Sequence, residues 1–116
     1  MRIILNESGI NNVKVVYNIG GITVSTLSEN NVISPDTWRQ ITYRYNGSQT
    51  RIFIDGNPSG SPVSASGALG TNSLDIWFRW GEGADQRWYK GLIDEVRLYN
   101  RALSDEEIKA LYDATK

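Results

Sequence analysis

The chain has no cysteine and no histidine among its 116 residues. Without cysteine there is no disulfide framework and no thiolate metal site, although this says little about compartment, since exported bacterial proteins often manage without disulfides. The lack of histidine excludes more. It removes histidine-based triads, the usual imidazole zinc sites and any histidine general base, so that carboxylates, tyrosine and lysine are left for proton transfer. No apolar run is long enough to cross a bilayer, and no charged-then-apolar leader opens the sequence, so a membrane span and a visible export signal are both missing. Nor is there an excess of positive charge. Twelve basic residues against thirteen acidic ones give a net charge of -1. A phosphate-backbone partner calls for a clustered basic face, so nucleic acid is excluded as a partner. The length suits one domain with a single core, residues 1–116.

What is present is organised around Lys90–Tyr112, KGLIDEVRLYNRALSDEEIKALY. Leu92–Tyr99 is rich in branched and aromatic residues with charges interleaved, which predicts a strand lying on a core. Ser104 and Glu107 have the spacing of a capping box, and Asp105 and Glu106 put negative charge into the first turn of the helix that follows. Ile108, Leu111 and Tyr112 then fall on one stripe, so the helix can clamp onto a sheet.

Upstream, Met1–Leu5, Val13–Tyr17 and Ile22–Leu27 are predicted strands, the last two joined at Gly20 and Gly21. Ser28–Pro35 is a polar loop with a brief apolar contact at Val32 and Ile33. Pairing is expected to resume at Thr37 or Trp38, with Ile41, Tyr43 and Tyr45 on one face, and Trp38 is expected in the core. Asn46–Gly47 and Asp55–Gly56 mark turns around a strand at Thr50–Ile54. Pro58–Thr71, rich in Ser, Gly and Ala, is read as a surface loop. In Ser73–Trp80, Leu74, Ile76 and Phe78 share the core parity, which leaves Asp75, Trp77 and Arg79 on the other face. Gly81–Trp88 is a polar loop. The total is roughly seven strands and one helix, an all-β antiparallel sandwich.

Lys90–Tyr112, together with Trp38–Gly47 (WRQITYRYNG) and Ile52–Gly56 (IFIDG), resembles the laminin-G-like, concanavalin A-like lectin and glucanase jelly rolls. The match covers roughly the last two thirds of the chain, and the combination is more specific than any piece. The resemblance implies an antiparallel jelly roll and an extracellular or cell-surface setting. It gives function only to the level of a class, because this fold hosts enzymes, lectins and adhesion modules. It also implies that the family's first strands are missing here, Met1 falling near the middle of the pattern. An incomplete sandwich exposes a sheet edge, which predicts a homodimer or other homo-oligomer; the alternative is a short version that closes on fewer strands.

Glucanase relatives carry an E-x-D-x-x-E strand that supplies two carboxylates about 5 Å apart, and no such string occurs here, so the chain is not expected to be an enzyme. Carbohydrate binding is the leading expectation. Sugars stack their C–H faces on aromatic rings and take hydrogen bonds from Asp, Asn, Gln and Arg, which nominates Trp77, Trp80, Trp88 and Tyr89 with Asp75, Arg79, Asp85, Gln86 and Arg87. Trp80 and Trp88 fit a core role equally well, and the two arginines could instead cap aromatic faces. The alternative function is a structural or adhesion domain that self-associates through its incomplete sheet. No motif requires a cofactor. In similar jelly rolls an aspartate at the position of Asp94 helps to hold a structural calcium, but calcium needs about six oxygen ligands; a bulge, or a hydrogen bond from Asp94 to backbone amides, is the reading set against it.

Overall fold

Short runs of β-branched and aromatic residues, punctuated by residues that accept positive φ, give the chain its strands and hairpins. In the computed structural model, residues 1–5, 9–70 and 91–116 are described in full, and residues 77–80 and 87–88 through their backbone pairing alone. The strands are β1 (Arg2–Leu5), β2 (Val13–Ile19), β3 (Ile22–Leu27), β4 (Ile41–Tyr45), β5 (Gln49–Ile54), β6 (Asn57–Ser64), β7 (Trp77–Trp80) and β8 (Arg87–Trp88). One helix, α1 (Asp105–Thr115), follows.

They form a five-stranded sheet in the order β3-β2-β1-β7-β8 and a three-stranded sheet in the order β4-β5-β6. All neighbours are antiparallel except β1 and β7, which run parallel. The result is an all-β sandwich with a C-terminal helix, as the sequence implies.

Parity fixes the core. Ile3 lies opposite Val15, and Leu5 opposite Val13, in the large sheet; Ile41 lies opposite Ile54, and Tyr43 opposite Ile52, in the small one. These residues meet between the sheets, joined by Ile33 and Val32 from the loop after β3 and by Met1. Ile33 is held there because the amides of Val32 and Ile33 both donate to the carbonyl of Asn11, at 3.0 and 3.2 Å. Thr26 and Thr50, one from each sheet, share a 2.6 Å hydrogen bond inside the core, which satisfies two hydroxyls that burial would otherwise penalise.

The helix makes a third layer. Phe53 has the opposite parity to Ile52 and Ile54 and is fully buried, packed on Leu103 and Ile108 with Leu111 beside them. Burying a side chain such as Ile108 is worth about 1.5–3 kcal/mol, which is what fixes so short a helix in place. The expected capping box is formed: Ser104 Oγ accepts from the Glu107 amide at 3.1 Å, and Glu107 Oε2 accepts from the Ser104 amide at 2.8 Å.

Three expectations are corrected. Leu92–Tyr99 is not a strand, and every residue in it is exposed. Its alternation is broken at Glu95, whose φ of 55° takes the chain out of the extended region. Asp94, Val96 and Leu98 therefore do not face the core. Trp38 is also outside the core, 66% exposed, because the ladder begins only at Ile41 and the parity of β4 does not carry back through residues 37–40. Finally, the stretch read as a surface loop from Pro58 is strand as far as Ser64. Asp55 and Gly56 both have positive φ (51° and 78°), as a two-residue hairpin turn of mirror-image type demands, so β6 folds straight back onto β5.

Candidate functional site

The aromatic cluster expected from the sequence falls on β7 and β8. The chain brings them together as a hairpin in which Arg79 pairs with Trp88 and Trp80 with Arg87. On its other side β7 pairs with β1, Trp77 standing beside Arg2, Phe78 beside Ile3, Arg79 beside Ile4 and Trp80 beside Leu5. Trp77, Arg79, Trp80, Arg87 and Trp88 are thus gathered on two adjacent strands at one edge of the large sheet. Asp75, Asp85, Gln86 and Tyr89 lie outside the described residues, as do the side chains of the five residues just placed.

A second polar surface is described in full. Arg39 Nη1 lies 2.5 Å from Asp55 Oδ2, and Asp55 Oδ1 accepts from the Gln40 amide at 2.9 Å. This carboxylate thus ties the segment entering β4 to the turn leaving β5. The pair borders an open groove of about 320 Å³ that also takes in Glu29, Asn57, Pro58 and Ser59. Exposed Trp38 immediately precedes Arg39 in the chain. Sequence reasoning missed this combination of an aromatic ring and polar neighbours because it assigned Trp38 to the interior. The signal available was the turn chemistry of Pro35–Thr37, which argues against a strand beginning at Trp38.

The described carboxylates are mostly held by basic partners. Asp105 is bound by Arg44, Glu95 by Arg97, and Asp113 by Lys109. Glu107 takes a bidentate fork from Arg101 at 2.9 and 2.8 Å. That guanidinium, assisted by the Ser104 amide, holds the Glu107 carboxyl down to about 2. For Glu107 and Asp113, whose partners lower them, such pairing keeps the carboxylate ionised, which is the opposite of what a general acid needs at neutral pH.

Asp94 is exposed, and its Oδ1 accepts from the Glu95 amide at 2.8 Å. Among the described residues no group of three or more acidic side chains is placed to hold a metal ion, there or elsewhere. The surroundings of Asp94 that are described do not supply the roughly six oxygens that calcium requires.

Three comparisons bear on what this architecture is. The family model of the concanavalin A-like lectin/glucanases superfamily, in its laminin-G form, matches residues 2–109. No curated protein matches the chain in sequence. Among solved structures, residues 221–444 of an S-layer domain-containing protein from Clostridium thermocellum superpose with a TM-score of 0.55 at 18% identity. That alignment covers 90% of this chain and 52% of the other, so the chain spans about half the length of its structural neighbour. At that identity the likeness speaks for the fold alone, and it agrees with the two-layer arrangement described above. Family model and sandwich together lead to one conclusion: the chain belongs to the concanavalin A-like lectin/glucanase superfamily.

Proposed function

We propose that the chain is a non-catalytic carbohydrate-binding module that works at the cell surface or outside the cell, with its recognition surface on the β7–β8 hairpin. The observation that carries this reading is the pairing of Arg79 with Trp88 and of Trp80 with Arg87, with Trp77 two residues away on the same strand. Trp77, Arg79 and Trp88 share one parity of the paired strands, and rings beside a guanidinium are the residue types that pyranose rings select: flat faces for C–H stacking and planar donors for paired hydroxyls. The superfamily includes lectins, and the similar structure comes from a protein named for its S-layer domain; both support a surface role. A non-catalytic role is supported by the absence of the glucanase carboxylate string and by the ion pairing that occupies Asp55, Glu95, Asp105, Glu107 and Asp113.

A glycan array probed with the purified chain and with Trp77→Ala tests the proposal. Binding to a defined set of glycans, lost in Trp77→Ala while the thermal unfolding midpoint holds, is the expected result. No glycan bound by the parent chain, or binding unchanged in the variant, overturns it.

A second reading, association with another copy of the chain, has its own support. β4 is an edge strand of the small sheet, and the apolar residues of segment 93–99 are exposed. The two readings rest on different segments of the chain.

A further inference from the structure

We propose that segment 93–99 is the self-association surface, pairing antiparallel with the same segment of a second copy about a two-fold axis through Val96. This rests on the self-association reading above and gives it a location and a register.

The segment is unusual for a soluble surface. Ile93, Val96, Leu98 and Tyr99 are 48%, 63%, 77% and 44% exposed, four large apolar side chains within seven residues. None of residues 91–100 is assigned to a helix or strand. Apolar and charged residues are interleaved along the segment, and Glu95, at φ 55°, is its one non-glycine residue in the left-handed region. A glutamate in the left-handed region is strained, so straightening the segment relieves a local cost instead of adding one. Among the described residues two local, exposed contacts hold the bend: the Asp94 carboxylate on the Glu95 amide, and Glu95 on Arg97 at 2.7 Å.

Symmetry then selects the register. In an isologous antiparallel pair, facing residues must have the same parity, so the axis has to pass through a single residue position. An axis at Asp94, Glu95 or Arg97 sets that charge against its own copy, which disfavours the pair. An axis at Val96 sets Val96 against itself, Glu95 against Arg97 of the second copy, Arg97 against Glu95 of the second copy, and Ile93 against Tyr99 of the second copy. One face then carries two ion pairs flanked by two aliphatic–aromatic pairs, which is the cross-strand chemistry that stabilises antiparallel ladders. The other face brings together both Val96 side chains with Leu98 from each copy on the diagonals, and sets each Leu98 opposite Asp94 of the second copy. The self-complementarity of IDEVRLY about its central valine is therefore carried by the face of Ile93, Glu95, Arg97 and Tyr99. That complementarity, together with the exposed apolar side chains, is the argument for a second copy as the occupant.

Sedimentation velocity over a wide concentration range tests this with three chains: the parent, Arg97→Glu, and Glu95→Arg/Arg97→Glu. The parent is expected to dimerise. Arg97→Glu places like charges opposite each other twice and weakens the dimer by about tenfold or more. The double variant restores the opposition of charges and returns the dimer to near the parent's affinity, which a merely sticky apolar surface would not do. Hydrogen exchange should show concentration-dependent protection of the amides of residues 94–98. If Arg97→Glu dimerises as well as the parent, or the double variant fails to recover, the register is overturned while self-association elsewhere stands. If the parent is monomeric throughout, both fall.

Discussion

The guanidinium of Arg44 sits 4.8 Å from the centre of the Phe53 ring, on the outer face of the small sheet. The same guanidinium donates to the carbonyl of Leu103 at 3.1 Å and to Asp105 at 2.5 Å. One side chain thus joins strand β4, the aromatic floor under the helix, and the helix's first residue. Arg44→Ala removes a cation–π contact and a hydrogen bond to a carbonyl at once, and should lower the unfolding free energy by about 2 kcal/mol. Urea unfolding checks the size of the loss. Arg44→Lys should recover less than half of it, because an ammonium cannot stack on Phe53 and reach two acceptors in the same plane.

Acid sensitivity should centre on the helix cap. The folded Glu107 carboxyl is lowered from 4.5 to about 2 by Arg101 and the Ser104 amide, so the unfolded chain takes up the proton first as the pH falls. Its contribution is fully present above pH 4.5 and disappears as the pH drops towards 2. Stability followed by circular dichroism should fall across that window in the parent, and the fall should be shallower in Glu107→Gln. Asp113, also lowered by its partner Lys109, titrates in the same direction and leaves a residual slope in the variant.

Tyr43 offers a prediction of the opposite sign. Its hydroxyl is buried without a well-formed hydrogen bond, since Thr26 and Thr50, which lie nearest, are bonded to each other. Burial raises its pKa above 10.0, an effect the two threonines only partly offset. Its neutral form is therefore favoured in the fold, and the associated stability is intact below pH 10.0 and lost as the pH rises beyond it. Tyr43→Phe should be neutral or stabilising by up to about 1 kcal/mol, because an unsatisfied hydroxyl leaves the core. Thermal unfolding checks this, and alkaline difference absorbance should lose one tyrosine that titrates above 10.0.

Features whose causes are local were legible in the sequence. Ser104 and Glu107 satisfy each other's backbone within four residues, and the Gly20–Gly21 and Asp55–Gly56 turns need only their own dihedral preferences. The inward parity of Ile41 and Tyr43 was legible for the same reason. The failures involve partners distant in the chain. Alternation in Leu92–Tyr99 is necessary for a strand but does not supply a neighbour to pair with. β6, rich in Ser and Gly, is a strand only because the turn at Gly56 delivers it to β5. Trp38 was assigned inward because tryptophans of small sandwiches mostly sit in the core, whereas the ladder that would have carried it begins three residues later. As for the candidate site, composition nominated the aromatic residues, and the backbone adds which of them stand side by side.

One close approach has a directional consequence. Gly60 of β6 comes so near the end of β3 that a Cβ there would fall 2.1 Å from the Leu27 carbonyl oxygen, and Ser59 Oγ accepts from the Glu29 amide across the same junction at 3.0 Å. On this side the two layers are seamed shut, with no gap to admit another polypeptide. Among the described strands, enlargement of the sandwich is therefore directed to the opposite margin, where β4 and β8 end their sheets.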